Sequence, residues 1–180
     1  MSNDSHLVET IIESNDIFKG RVIDVKHEKV RLPDNNTSYR EIAYHKGAVA
    51  LIAVYNDYMY FVRQYRLATR EVLLEVPAGK IEIGEEPSVT AKKELKEEIG
   101  AVSEDISLVS EFYAAPGFSN EYIRLFHAKN LSFEAQALED DEFLDVVKIH
   151  VDELPGYITE NKIKDAKTLI AVQYVISQLR

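Results

Sequence analysis

Three glutamates, Glu94, Glu97 and Glu98, stand three and four residues apart in a stretch whose apolar residues recur at helical spacing. Projected at about 100° per residue, Ala91, Leu95 and Ile99 form an apolar stripe, the three carboxylates flank it on one side, and Lys92, Lys93 and Lys96 lie on the far side. Like charges three or four residues apart cost a helix about 0.2–0.5 kcal/mol per pair, so a sequence selected only for helix stability would interleave the signs. Carboxylates converging beside a buried stripe make a hard oxygen site instead. Such a site suits Mg²⁺ or Mn²⁺ holding phosphate oxygens, and the cation cancels the repulsion. For the helix alone, a solvated acidic face beside lysines is the commoner meaning of the pattern, and the spacing of residues outside it decides between the two.

The helix is delimited on both sides. Pro87 stands near its first position and Gly100 at its end, so the pattern predicts a helix over Glu86 to Ile99. A second helix is expected over Asp165 to Leu179, where Leu169, Val172, Ile176 and Leu179 recur on one face. Strands are predicted at Ile17 to Leu32 and Thr37 to Tyr44 around the turn formers Pro33 to Asn36, and at Gly47 to Tyr55 and Tyr58 to Gln64 around Asn56-Asp57. Leu73 to Val76, Ser107 to Tyr113, Tyr122 to Ala128 and Phe143 to Val151 read as four more, and the apolar patch Leu7 to Ile12 as a helix turn or a fraying arm. The reading is an α+β chain in which residues 1–45 form a small antiparallel sheet ahead of a main body at 46–180.

Composition narrows the function. The 180 residues match a one-domain length, and 46% hydrophobic with 29% charged residues is ordinary globular usage. The longest uncharged apolar run, Gly47 to Tyr55, is far below the roughly 20 residues a bilayer span needs, and no secretory leader is visible. With no cysteine there is no disulfide, thiolate metal site or cysteine nucleophile, which makes the cytoplasm the expected compartment. A net charge of −10 repels polyanions and argues against a nucleic-acid binder. A phosphate substrate would need local arginines or a bound metal.

The stretch from Gly79 to Ala101 resembles the Nudix box, Gly-x5-Glu-x7-Arg-Glu-U-x-Glu-Glu-x-Gly-U with U apolar. Gly79, Glu85, Glu94, Leu95, Glu97, Glu98, Gly100 and Ala101 fall on its fixed positions, and Lys93 departs from it, standing where the family has arginine. Lysine keeps the charge and loses the bidentate fork. Val62 to Arg66, Leu74 to Gly79, Ala115 to Glu121 and Asp165 to Thr168 extend the likeness to the bacterial ADP-ribose pyrophosphatase branch, with Pro116 as the branch's marker.

That resemblance implies an α/β/α sandwich with a mixed sheet, preceded by a small antiparallel sheet exchanged in a homodimer. It implies hydrolysis of ADP-ribose to AMP and ribose 5-phosphate, with Glu94, Glu98, Glu97 and the carbonyl of Ala78 holding Mg²⁺ or Mn²⁺, and Glu85 supporting the box. Arg40 and Glu121 are implied to approach the nucleotide and the ribose, Arg66 the diphosphate, and Ala115 to line the substrate loop. For the arginines the plain alternative is pairing with Glu41 or Glu71. The general base is expected from the acidic run Leu138 to Glu142, with Glu142 first and Asp140 second.

Two rival readings remain. A sensor that binds ADP-ribose without turnover would have lost a box glutamate, and all are present. Another nucleotide or sugar-nucleotide substrate keeps the chemistry; Pro116 and the Arg66 segment argue against it.

Overall fold

The structure is a computed structural model that describes residues 4–138 and 140–178. Leu179, expected to end the last helix, and Glu139 of the acidic run lie outside the described residues. The chain divides into two units, one formed by Met1–Gly47 with Tyr113–Tyr122, the other by Ala48–Phe112 with Ile123–Arg180.

In the first unit a short turn at Asp4–Leu7 leads into β1 (Thr10–Lys19), β2 (Ile23–Arg31) and β3 (Thr37–His45), an antiparallel sheet in that order. The sequence reading ran one strand from Ile17 to Leu32; in the structure that span is divided, β1 ending at Lys19 and β2 starting at Ile23, and the β2–β3 hairpin around Pro33 to Asn36 is as expected. Residues from Thr10 onward are strand rather than helix turn or arm. Every residue of β1 is exposed, so it carries no alternation of buried and exposed positions from which a strand could be read. Residues 113–122 join this sheet through β3. Ala43 donates its N–H to the Phe118 carbonyl at 2.8 Å, and the Asn120 side chain accepts from the His45 N–H at 2.6 Å.

The second unit holds β4 (Ala48–Tyr55), β5 (Tyr58–Arg66), β6 (Glu71–Glu75), β7 (Ala78–Lys80), α1 (Pro87–Ile99), β8 (Ala101–Val102), β9 (Asp105–Tyr113), β10 (Tyr122–Lys129), β11 (Ser132–Phe133), β12 (Leu144–His150), α2 (Leu154–Thr159) and α3 (Ala166–Gln178). The main sheet runs β12-β5-β4-β10-β9, with β10 parallel to β4 and β12 antiparallel to β5. It is therefore mixed. Asn56 and Asp57, both at positive φ, turn β4 into β5 as expected. Strand β4 is buried on both faces. Val49, Leu51 and Ala53 pack in one cluster with Ala91, Leu95 and Ile99 of α1, while Ala50 and Ile52 point to the other face, on which α3 contacts the strand. Helices on both faces complete the α/β/α sandwich.

Strands β4 and β5 are paired only next to their turn, at Val54–Met59 and Tyr55–Tyr58. Into the gap beyond come β6, paired to β5, and β7, paired to β4. Pro77 makes the crossing. It has no N–H to donate, and its carbonyl accepts from Leu51 at 2.8 Å. The three-residue β7 and the short β8, β11 and α2 were not legible, being too brief to show a period. Among the described residues no helix is long and apolar enough to cross a membrane.

Candidate active site around Glu98

Helix α1 brings its carboxylates to β7 because both of its flanking glycines are needed where they stand. Gly100 closes the helix at φ 67°, donating to the Lys96 carbonyl at 3.0 Å, and a Cβ there would sit 2.6 Å from the Glu134 carbonyl oxygen. A Cβ on Gly79 would lie 1.8 Å from the Glu94 carboxylate. Glycine in β7 thus makes the space Glu94 occupies. Lower on the helix, Thr90 donates to the Glu85 carboxylate at 2.8 Å.

Glu98 is 3% exposed, and its carboxylate accepts the Ala78 N–H at 2.8 Å. Burial pushes its pKa up to about 8. The Ala78 N–H opposes the shift, the carboxylates of Glu94 and Glu142 add to it, and the Arg66 guanidinium opposes it. Glu98, Glu94 and Glu142 therefore act on one another as like charges. Glu142, more than forty residues later in the chain, is carried there by the segment before it. That segment satisfies the carbonyls a helix end leaves open: Ala137 N–H donates to the Glu97 carbonyl at 3.2 Å, Gln136 to that of Glu98 at 2.5 Å and Glu134 N–H to that of Gly100 at 2.8 Å. Asp140 lies in the exposed turn that follows. Glu97 is turned toward Lys93, with Nζ 3.6 Å from its carboxylate. Among the described residues, no three Asp, Glu or His side chains converge closely enough to hold an ion as they stand.

The donor set nevertheless suits a hard divalent cation. It offers oxygen ligands alone, and a carboxyl kept protonated first by burial and then by neighbouring carboxylates is one that a cation would help to ionise.

Arg66, half-exposed, pairs with Glu75 and not with Glu71. Its Nε and Nη2 donate to the two carboxylate oxygens of Glu75 at 2.6 and 2.8 Å. Glu75, 2% exposed, also accepts from Lys167. Lys167 in turn lies 3.1 Å from Asp165, which caps α3 by accepting the Thr168 N–H at 3.0 Å and its hydroxyl at 2.6 Å. The Thr168 oxygen accepts the Val76 N–H at 2.8 Å. The Asp165-to-Thr168 motif, which the sequence singled out without a role, thus ties α3 to the residues just before Ala78 and Gly79. Burial pushes the Glu75 pKa up, but the Arg66 and Lys167 bonds and charges win and it ends below the usual carboxylate range.

The remaining candidates, Arg40, Ala115 and Glu121, belong to the first unit. Arg40 pairs with Glu9, not Glu41: its Nε donates to one carboxylate oxygen at 3.0 Å and its Nη2 to the other. The Ala115 carbonyl closes a tight turn, accepting from Phe118 and Ser119 at 3.1 and 2.9 Å, and the Glu121 carbonyl accepts from Ala114 at 3.0 Å. A cavity of about 460 Å³ opens beside them, lined among others by Arg40, Ile42, Tyr44, Tyr113, Phe118 and Asn120. The sequence reading assigned none of these aromatics. They are distant in sequence, and the β3 contacts of the 113–122 segment bring them together.

Residues 44–171 match the model of the NUDIX domain. A methanol dehydrogenase activator of Bacillus methanolicus is 45% identical over 170 residues, 93% of this chain and 92% of that one. The ADP-ribose pyrophosphatase of Bacillus subtilis (strain 168) is 39% identical over 172 residues, 94% and 93% of the two chains. A solved structure of an ADP compounds hydrolase superposes with a TM-score of 0.83 at 20% identity, covering 96% of this chain and 95% of that one.

Proposed function

The chain belongs to the Nudix family, and from that premise we propose that it hydrolyses the diphosphate of ADP-ribose to AMP and ribose 5-phosphate. The observation that carries the reading is the crowding of Glu94 and Glu142 around the buried, protonated Glu98 on a complete set of box glutamates. Nudix hydrolases in general require a divalent metal. Glu94 and Glu98, with Glu97 and the Ala78 carbonyl, would hold it, and Mg²⁺ is the proposed ion, with Mn²⁺ as substitute. When bound, the metal neutralises diphosphate oxygens and the charge that grows on the leaving group.

The chain's own residues do the rest. Glu142, or Asp140 in its place, takes a proton from the water whose oxygen attacks one phosphorus. The P–O bond to the bridging oxygen breaks as that water's oxygen bonds, and the proton ends on the leaving phosphate or in solvent. Arg66, held planar by Glu75, presents its remaining N–H groups to the diphosphate. Arg40, Ala115 and Glu121 contact the nucleoside part.

A homodimer is part of this proposal. Leu7, Val8, Ile11, Ile12, Ile17 and Phe18 are all exposed along and before β1, and a patch of this kind marks an interaction surface. Removing residues 1–45 should then lose the dimer and activity together.

The test is incubation of the purified protein with ADP-ribose and Mg²⁺. AMP and ribose 5-phosphate are the expected products, and chelator should abolish turnover reversibly. Intact ADP-ribose, with another sugar nucleotide cleaved, would move the substrate. A second reading, favoured by the 45% identity to the methanol dehydrogenase activator, is that the chain raises the activity of a dehydrogenase. Its addition to methanol dehydrogenase checks this, and a Glu98→Gln variant separates an effect that needs hydrolysis from one that does not.

A further inference from the structure

The first unit contains a buried acid that the proposed chemistry does not use. Glu28, on the central strand β2, is 2% exposed. One of its carboxylate oxygens accepts from the Tyr44 hydroxyl at 2.9 Å and the Ser14 hydroxyl at 3.2 Å, and the other is buried with no hydrogen-bond partner among the described residues. Native structures rarely leave such an oxygen unpaired, and each case calls for a reason.

Register shows where this acid lies. Glu28 is directly opposite Arg40 on β3, so the two side chains share a face of the sheet with Ile42 and Tyr44, the strand residues that line the cavity. Arg40 is bonded to Glu9 and Lys26 lies 3.3 Å from Asp16, so the guanidinium that lines the cavity is already engaged. A ligand group rich in N–H or O–H donors suits such a wall better than an anion does.

Tyr44 sharpens this. A phenol has one proton to donate, and the Tyr44 proton is committed to Glu28. Toward the cavity its oxygen can only accept. We propose that the Tyr44–Glu28 pair reads a hydrogen-bond donor on the ligand, such that the cavity takes a 6-aminopurine and rejects its 6-oxo counterpart. The inference rests on the proposed adenosine-containing substrate, and it names the residues that choose the base. A 6-oxo group would set an acceptor against an acceptor, with a buried carboxylate behind it, which penalises the wrong base more than the right contact rewards the correct one.

The experiment measures binding of AMP and IMP to the full chain, by titration calorimetry with Mg²⁺ present, for the wild type, Tyr44→Phe and Glu28→Gln. The wild type should prefer AMP by about 10-fold or more, the size expected when a polar group is left facing an unsuitable partner. Tyr44→Phe removes both the contact to the 6-amino group and the clash with the 6-oxo group, so it should weaken AMP, strengthen IMP by the larger factor and so abolish the preference. Glu28→Gln can donate its amide N–H to the phenol oxygen and free the phenol proton for the cavity, so it should raise IMP affinity and narrow or reverse the preference. A wild type indifferent to the base, or a Tyr44→Phe variant that keeps the wild-type preference or weakens both ligands equally, overturns the proposal. Turnover is read separately. A protein that distinguishes AMP from IMP through Tyr44 yet leaves ADP-ribose intact refutes the proposed reaction and sustains this inference, and hydrolysis without discrimination does the reverse.

Discussion

Glu75 and Glu98 are buried alike, 2% and 3% exposed, in the same unit of the chain, yet their pKa values move in opposite directions. Glu75 is met by a guanidinium fork and an ammonium group and falls below the usual carboxylate range. Glu98 is met by one backbone N–H and two further carboxylates and rises to about 8. Burial is equal, so the partners decide. The paired acid fastens Arg66 and α3 to β6. The crowded one keeps its proton instead of a charge, and by that difference one acid serves as scaffold and the other is the candidate for binding a cation.

The strongest way to break the comparison is to remove the crowded charges. Glu98→Gln and Glu94→Gln should leave the fold intact and cut turnover by at least ~10²-fold, because each takes charge from a proposed ligand of the metal. Near wild-type rates at saturating Mg²⁺ in either variant would end the metal-site assignment. Glu142→Gln tests the third member: kcat should fall by about 10²-fold with KM little changed. Normal turnover there with a crippled Asp140→Asn transfers the base role to Asp140.

Removing the paired acid should act on stability. Glu75→Gln leaves the Lys167 ammonium and half-exposed Arg66 without their shared anion, and chemical denaturation should report a loss of about 3 kcal/mol, at the lower end for a broken buried pair. An unchanged midpoint would show that the network contributes nothing.

Acidity sharpens the contrast further. The folded chain keeps the Glu98 proton where the unfolded chain has lost it, so between the ordinary carboxyl value of 4.5 and about 8 the folded state binds more protons and stability falls as pH rises. Glu75 behaves oppositely: its contribution is present above 4.5 and is lost as pH falls through its depressed folded value. For metal-free protein, Glu98→Gln should therefore raise stability at pH 8 by about 4 kcal/mol, on the order of 10 °C in Tm, with little change near pH 4.5. A variant less stable than wild type at pH 8 would mean that Glu98 is not held protonated.

The smallest effect belongs to Lys93, whose ammonium lies 3.6 Å from the Glu97 carboxylate where the family has an arginine fork. Lys93→Arg should raise kcat by a factor of about 2 by fixing the Glu97 carboxylate, readable in a steady-state comparison.

Legibility in the sequence followed the range of the interactions. The ends of α1 could be read because Pro87 and Gly100 act on their own backbone, and Glu94, Leu95 and Glu98 because helical spacing is local. Strand β4 was legible through its apolar run. Strand β1 was not, since nothing buries it within the chain, nor was β7, whose three residues are strand only because β4 lies beside them.

By itself the sequence determined the family, the box and its glutamates, the α+β class and the absence of cysteine chemistry, all consequences of residue type and short spacing. It singled out Arg66, Asp165 to Thr168 and Glu142 without saying what each touches. Only the tertiary structure joined Arg66 to Glu75 instead of Glu71, Thr168 to Val76, and the 134–137 segment to the open carbonyls of α1 so that Glu142 reaches the field of Glu98. It also placed Glu28 under Tyr44. The physical reason is that a side chain's partner and its ionisation depend on groups brought within a few ångströms by chain folding, at sequence separations that no local pattern encodes.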